Sequence, residues 1–234
     1  AVTHARRLIE AGTIGRVAGF FCRYDVDNEA DGNRPWSWRM SRDKSGTGAN
    51  GDVLSHVISV AHYLTGSTIS RLSGDIAIVH PERSDADNPG TTKPVDNDDM
   101  VSALVHFKNG VKGHIGASRV TWGRKCGLRW EVHGTEGTII YDQERLNEIK
   151  LFTPQSDPAT DGFRTILTGP LHPPYAAFLP NGGHSLGYMD VKICELHELL
   201  SSIETDERIW PDFEAGLVIE KVMDAVDRSA RDQR

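Results

Sequence analysis

Residues 46–66 read GTGANGDVLSHVISVAHYLTG, and this stretch decides both the fold and the place of a candidate site. Its first six residues match G-x-G-x-x-G, the fingerprint of a loop that cradles a dinucleotide pyrophosphate. A true dinucleotide loop follows a buried parallel strand, which places the turn under the pyrophosphate. Here the preceding residues, 42–45, read RDKS and are too polar for a buried strand. We therefore predict no cofactor at this turn, and we predict that the glycines allow a close approach of backbone to another surface.

Asp52 and His56 follow the glycines. Residues 51–64 are predicted to form one helix closed by Gly66, so the two side chains, four residues apart, project from one face. The helix N-terminus favours an ionised Asp52, and a carboxylate one turn away can hold the His56 imidazole in one tautomer. Proton transfer to or from a substrate hydroxyl needs this arrangement. An N-terminal Asp beside an ordinary core His is the alternative explanation.

Composition and charge limit the classes of partner. The chain has 234 residues, with 26 Lys and Arg against 33 Asp and Glu and a net charge of −7. Its basic residues are scattered, whereas a nucleic-acid partner would need them gathered on one face. No apolar run approaches the ~20 residues of a membrane helix, and the first residues do not resemble a signal peptide. We therefore predict a cytoplasmic protein without a nucleic-acid or membrane partner.

Metal and disulfide chemistry are not indicated. Cys22, Cys126 and Cys194 are odd in number, far apart and in no C-x-x-C pair, which indicates reduced thiols. Around His56 the pattern H-E-x-x-H is absent, and no third ligand stands at a metal-binding spacing. We predict no metal site.

Apolar periodicity and turn residues predict the order of the elements. Helical spacing marks residues 1–12, 51–64, 193–203 and the segment after Pro211, where Asp212 is the predicted N-cap. Strand-forming runs lie at residues 16–26, 71–80, 101–107, 111–118, 128–133, 138–142 and 148–152. Asn109-Gly110 and the GTEG at residues 134–137 each join two such runs and predict two hairpins.

The loops between these elements are long. Residues 81–99 are polar, and residues 153–187 are rich in Pro, Gly and Thr without any period.

The predicted fold class is α+β, with a large, mostly antiparallel (mixed) sheet and helices packed on one face. The second face then needs a cover, which favours a homo-oligomer formed by sheet-on-sheet contact.

Four segments resemble one family. Residues 46–66 resemble the segment G-G-x-L-x-D-x-G-x-H-x-x-D of the glucose-fructose oxidoreductase, inositol dehydrogenase and rhizopine-catabolism (Gfo/Idh/MocA) family. AVTHARRLIEAGTIGRV (1–17) resembles the helix that opens its C-terminal domain, LRWEVHGTEGTIIYD (128–142) its sheet hairpin, and WPDFEAGLVIEKVMDAVDRSA (210–230) its closing helix. The match covers nearly the whole chain. Leu54 stands where Gly is common, and Ser59 replaces the usual Asp.

The resemblance implies that residues 1–234 are a C-terminal substrate-binding and oligomerisation domain, forming a homodimer or homotetramer through the sheet face. An N-terminal Rossmann domain, absent from this chain, would hold NAD or NADP. We therefore expect the chain to be a fragment of a longer enzyme and inactive alone. His56 matches the family's general acid/base, and Asp52 matches the carboxylate that orients it.

Further candidate substrate-binding residues surround this pair. Trp38 and Arg39 resemble the family's segment that reaches cofactor and sugar, because an aromatic face suits a sugar ring and a guanidinium donates to hydroxyls. A tryptophan that pins the loop to the core is the equally weighted alternative. His184, in NGGHSLGYMD (181–190), resembles a substrate-side loop and is a candidate hydroxyl contact. Arg119 is either a cleft residue or a solvated arginine at a strand end, which is the commoner arrangement.

Three functions fit these features. The first is an NAD(P)-dependent oxidoreductase acting on a secondary alcohol of a sugar, cyclitol or polyol. The second is redox-neutral glycoside cleavage with a tightly held NAD on the same fold. The third is a non-catalytic dimerisation or ligand-binding module. Net NADH formation with a polyol distinguishes the first function from the other two.

Overall fold

The computed structural model of the protein describes residues 1–172 and 174–232, within which six α-helices and ten strands form. The helices are α1 (Val2–Glu10), α2 (Arg42–Ser45), α3 (Ala49–Asp52), α4 (Leu54–Thr65), α5 (Tyr188–Thr205) and α6 (Phe213–Asp232). The strands are β1 (Val17–Asp25), β2 (Ile69–Ala77), β3 (Glu82–Ser84), β4 (Thr92–Pro94), β5 (Met100–Phe107), β6 (Lys112–Ser118), β7 (Gly127–Gly134), β8 (Thr138–Asp142), β9 (Glu148–Phe152) and β10 (Arg164–Leu167).

Helix ends fall where local signals predict them. Gly66 adopts a left-handed conformation, with φ 63°, and closes α4. The Asp212 carboxylate accepts the backbone N–H of Ala215 at 2.8 Å and caps α6. Both predictions are confirmed, because a cap depends on one residue and its immediate neighbours.

One eight-stranded sheet forms the body of the fold, in the order β10-β9-β8-β7-β1-β6-β5-β2. Within the described residues its neighbours pair antiparallel, except that β1 and β6 run parallel. Both predicted hairpins are present, and Gly110 turns the first with φ 89°. Because β1 and β6 are parallel, Asp25 and Ser118 end at the same edge of the sheet. The glycine turn lies near this edge, since the Gly48 Cα faces the segment that enters β5.

Helices cover one face of the sheet. Phe20 and Cys22 on β1 and Val57 and Ile58 on α4 share one buried core with Val226 on α6. Each large side chain buried in this way contributes about 1.5–3 kcal/mol to stability. The opposite face keeps large apolar side chains exposed. The predicted α+β fold with helices on one face is confirmed.

Two predicted loops contain strands. Residues 81–99 hold the β3–β4 hairpin, and residues 153–187 hold β10, which pairs with the edge strand β9. These strands are only three or four residues long, too short for a period to be visible in the sequence. A buried arginine, Arg83, fixes the hairpin, because its guanidinium donates to the carbonyls of Asp31 and Glu29.

The single helix predicted over residues 51–64 is wrong in one respect, because it is interrupted at Val53. The Ser55 hydroxyl donates to the carbonyl of Asp52 at 3.0 Å, the acceptor that an unbroken helix offers to the N–H of His56. A serine hydroxyl competes with main-chain donors in this way. The helical period continues across the interruption, however, and leaves both Asp52 and His56 on the exposed side.

Candidate active site

The glycine turn, residues 46–51, leaves α2 and includes the start of α3, and it does not follow a strand. A Cβ added to Gly48 would lie 1.9 Å from the main-chain oxygen of Asp98, a separation that no side chain can adopt. Gly46 has φ 73°, which favours glycine. The prediction that these glycines permit a close approach is confirmed.

The amides of this turn already have an anionic partner. The Asp98 carboxylate is buried and accepts the N–H of Gly48 at 2.8 Å and the N–H of Asn50 at 2.7 Å. The carbonyl of Asp98 accepts the N–H of Ala49 at 2.9 Å. A pyrophosphate would need the same N–H groups and would meet a buried carboxylate. The residues of this turn therefore do not fit a dinucleotide.

A cavity of about 510 Å³ opens beside the turn and contains three of the predicted site residues, Trp38, Arg39 and Asp52. Trp38 and Arg39 lie on a short 3-10 turn, Trp38–Met40, and α6 forms the facing wall with Glu220, Asp224 and Asp227. The cavity lining thus combines an aromatic side chain with guanidinium groups and carboxylates. Such a mixed lining suits a ligand with several hydroxyl groups.

Arg39 and Asp52 form the mouth of this cavity. The Arg39 Nη1 lies 4.0 Å from the Asp52 Oδ2, and both side chains are more than half exposed. The Arg39 guanidinium also lies 4.9 Å from the centroid of the Trp38 ring. An exposed pair of this kind contributes only ~0–1 kcal/mol. Each side chain can therefore give up this ion pair and bind a ligand with little loss of free energy.

His56 is exposed one turn further along, at the start of α4, and does not line the cavity. Among the described residues there is no hydrogen bond between the Asp52 carboxylate and the His56 imidazole. The His56 ring makes an edge contact with Tyr24 on β1, with centroids 5.7 Å apart. The structure thus places Asp52 and His56 on one exposed face without a direct bond.

His184 is not brought to this cavity. Its ring is exposed, and its Nδ1 lies 3.2 Å from the carbonyl of Asn181. The loop that carries it is tied to the end of β8–β9 by Asn147, which exchanges two hydrogen bonds with Leu186 at 2.9 and 3.0 Å. The sequence prediction groups His184 with the other site residues, but His184 does not line the cavity that contains Trp38, Arg39 and Asp52.

Arg119 lines the cavity from within the protein. It is only 5% exposed, and it donates to Asp99 at 2.9 Å and to Asn97 at 2.8 Å. The commoner arrangement considered for this residue, a solvated strand end, is therefore wrong. The run Asn97-Asp98-Asp99 directly before β5 indicates that polar partners are needed there, but nothing in the sequence assigns Arg119 to them.

Residues 2–140 match the family model of the GFO/IDH/MocA C-terminal domain. The chain belongs to this family. The predicted resemblance is thereby confirmed.

Relatives extend the match to the whole chain. Levoglucosan dehydrogenase from Pseudarthrobacter phenanthrenivorans is 36% identical over 98% of this chain and 62% of its own length. A solved structure of levoglucosan dehydrogenase in complex with NADH and levoglucosan has a TM-score of 0.93 at 36% identity, covering 100% of this chain and 62% of that chain. An oxidoreductase domain protein from Kribbella flavida gives 0.92 at 34% identity, covering 100% of this chain and 61% of that one. The chain spans about three fifths of the length of these relatives.

In this GFO/IDH/MocA domain, an ion pair attaches α6 to α2 beside the cavity. Arg42 on α2 donates to the Asp227 carboxylate at 2.6 and 3.2 Å, and Arg231 donates to the same group. Burial raises the pKa of Asp227, but these hydrogen bonds outweigh it and leave the pKa below its usual value. Asp227 is therefore ionised at neutral pH, and its ion pair with Arg42 joins α6 to α2 beside the cavity.

Within residues 1–172 and 174–232, no group of three His, Cys, Asp or Glu is arranged to hold a metal ion. None of the helices in the described part of the chain combines the length and apolar character needed to cross a bilayer.

Proposed function

We propose that this chain is the substrate domain of an NAD(H)-dependent dehydrogenase that oxidises a secondary alcohol of a sugar, cyclitol or polyol in the cytoplasm. One observation carries the proposal: Trp38, Arg39 and Asp52 line one cavity, and His56 lies on the same exposed face as Asp52. The similarity to levoglucosan dehydrogenase over 98% of the chain supports the substrate class.

The proposed division of labour follows the chemistry of each side chain. His56 is exposed, and a neutral imidazole has a free nitrogen lone pair, so it can take the proton from a substrate hydroxyl. Asp52, one helical turn before it, accepts a hydrogen bond from the same or a neighbouring hydroxyl and favours the imidazolium that results. Together they allow the alcohol to lose its proton as it is oxidised.

Binding falls to the other cavity residues. The half-exposed face of Trp38 offers an apolar surface to a sugar ring, and Arg39 offers donors to ring hydroxyls. When Arg39 binds a hydroxyl it gives up only a weak ion pair with Asp52, so little free energy is lost. His184 is not part of this proposed set, since its ring contacts Asn181 outside the cavity.

NAD would accept the hydride. The glycine turn of this chain does not fit it, because Asp98 occupies the N–H groups that would meet a pyrophosphate. We therefore propose that a dinucleotide-binding domain outside residues 1–234 holds the cofactor above the Asp52 face. The greater length of the relatives supports this division.

The open face of the sheet is the proposed homo-oligomer interface. Phe21 on β1 is 43% exposed and Leu104 on β5 is 62% exposed, although both are strand residues with large apolar side chains. Exposed apolar surface of this kind favours association. Leu104→Glu is expected to convert a dimer or tetramer into monomer in sedimentation velocity, and an unchanged sedimentation coefficient would count against this interface.

The test uses the intact enzyme, in which residues 1–234 are joined to their dinucleotide-binding domain, with levoglucosan as substrate. His56→Ala is expected to lower turnover roughly 10²–10⁴-fold, because general base catalysis is lost. NADH formation is the readout, since redox-neutral glycoside cleavage gives no net NADH. The matched control is His197→Ala, which removes an exposed histidine from α5 and should change nothing. Normal turnover in His56→Ala would refute the role.

A further inference from the structure

Arg39 and Asp52, at the mouth of the cavity, lie next to a buried residue that fixes the backbone near them. We propose that Asp98 is a positioning residue that sets the place of Asp52 relative to Arg39. The proposal rests on the proposed function, because it concerns the same site. Asp98 itself is 1% exposed and cannot touch a ligand in the cavity without rearrangement.

Asp98 anchors the start of α3 from three directions. Its two carboxylate oxygens accept the N–H groups of Gly48 and Asn50, and its carbonyl accepts the N–H of Ala49 between them. Helix N-termini leave such N–H groups without partners inside the helix. An ionised acceptor at this place makes strong hydrogen bonds and also meets the positive end of the peptide dipoles.

The anchor acts on Asp52 over a very short distance. Asp52 lies two residues beyond Asn50, and its own N–H donates to the carbonyl of Gly48 at 3.0 Å. Gly48 is therefore held by Asp98 through its N–H and holds Asp52 through its carbonyl. Because only one helical turn separates them, a shift of the Asp98 carboxylate moves Gly48 and, through it, Asp52.

The neighbouring residue, Asn97, fixes the other side of the mouth. Its Nδ2 donates to the carbonyl of Arg39 at 2.7 Å, and Arg119 and Ser45 donate to the same carbonyl at 3.3 and 3.2 Å. Two consecutive residues, Asn97 and Asp98, thus hold the backbones of Arg39 and of the turn that carries Asp52. Asn97 and Asp98 therefore fix the backbones from which the Arg39 and Asp52 side chains project, which the weak ion pair between those exposed side chains cannot do.

A purely structural cap is the competing explanation, and a double-mutant cycle separates the two. If Asp98 acts through Asp52, Asp98→Asn should matter only while Asp52 is present. If Asp98 merely stabilises the domain, its replacement should lower activity by the same factor in either background.

The experiment measures kcat/KM for levoglucosan in the intact enzyme with Asp98→Asn, Asp52→Asn and both. We expect Asp98→Asn alone to lower kcat/KM about 10²-fold, the scale of a displacement of about 1 Å at a reacting group. In the Asp52→Asn background the same change should alter kcat/KM less than about twofold. Equal factors in both backgrounds would overturn the proposal. If Asp98→Asn fails to fold, Asp98→Glu, which keeps the charge but shifts the carboxylate by one methylene, serves in the same cycle.

Asp85→Asn is the matched control. Asp85 is also buried, and its carboxylate accepts hydrogen bonds from the N–H of Asp87 and the side chain of Asn88, in a loop outside the cavity. It should lower the melting temperature without changing kcat/KM. A loss of kcat/KM as large as that of Asp98→Asn would show that any buried aspartate has this effect, and would overturn the proposal.

A second readout, on the 234-residue chain, separates failure of the proposal from failure of the proposed function. Amide hydrogen exchange at Gly48 and Asn50 should be faster in Asp98→Asn and unchanged in Asp85→Asn. If Asp52→Asn and His56→Ala are fully active, the proposed function fails even though exchange at the turn is faster. If exchange at the turn is unchanged in Asp98→Asn, the anchoring itself is refuted.

Discussion

Helices α4 and α5 carry the same kind of apolar pattern, but the apolar side of α4 is buried and that of α5 is exposed. In α4, Leu54, Val57 and Ile58 are fully buried against the sheet. In α5 no residue is buried, and Leu196 and Leu200 are more than half exposed. A period of 3.6 residues predicts that a helix forms, but whether its apolar side is covered depends on what lies across from it.

Truncating one leucine in each helix tests this difference in burial. Leu54→Ala on α4 should lower the free energy of unfolding by about 2–5 kcal/mol, because it leaves a cavity in the core. Leu200→Ala on α5 should change it by less than about 0.5 kcal/mol, since the side chain is 56% exposed. Urea denaturation of the 234-residue chain measures both. Equal losses would mean that α5 is packed as firmly as α4.

The second comparison sets the tight turn before α4 against an open helical position. Gly48→Ala places a Cβ 1.9 Å from the Asp98 carbonyl and should destabilise the chain by at least about 2 kcal/mol, as overpacking does. Gly216→Ala on α6 meets nothing within 4 Å and should stabilise it by about 0.5–1 kcal/mol. Thermal unfolding gives both values, and a stable Gly48→Ala would show that the turn is looser than described.

The third prediction uses the last turn of α4, where His62 accepts the N–H of Ile69 at 3.2 Å. Burial, and then the charge of Lys108, lowers the pKa of His62 to about 4. The unfolded imidazole takes up its proton near pH ~6.5, before the folded one. The free energy of unfolding should therefore fall as pH drops from about 6.5 to about 4, and His62→Gln should remove this part of the slope. An identical slope in His62→Gln would contradict the assignment.

Particular residues show how far the sequence alone reaches. Gly66, Asp212 and the Asn109-Gly110 turn were predictable, because each acts through its nearest neighbours. The glycines of residues 46–51 were correctly expected to allow a close approach, although the sequence did not reveal that Asp98 is what approaches. The interruption at Val53 was not predicted, because the period of the apolar residues continues through it.

Long-range partners could not be read from the sequence. Arg119 finds Asp99 and Asn97 about twenty residues away, across the β5–β6 hairpin, and nothing local distinguishes it from a solvated arginine. The resemblance groups His184 with Trp38 and Arg39, whereas in the structure its loop is tied to Asn147 and its ring does not line the cavity. Tyr24, the ring that meets His56, was not singled out, because its register against α4 is a property of the folded sheet.

The most direct measurement of the central claim is chemical rescue of His56→Ala in the intact enzyme. If this imidazole takes the proton of the substrate alcohol, free imidazole in solution should restore NADH formation in proportion to its concentration. The double variant Asp52→Asn, His56→Ala should be rescued far less. Normal activity in His56→Ala without added imidazole would contradict the account.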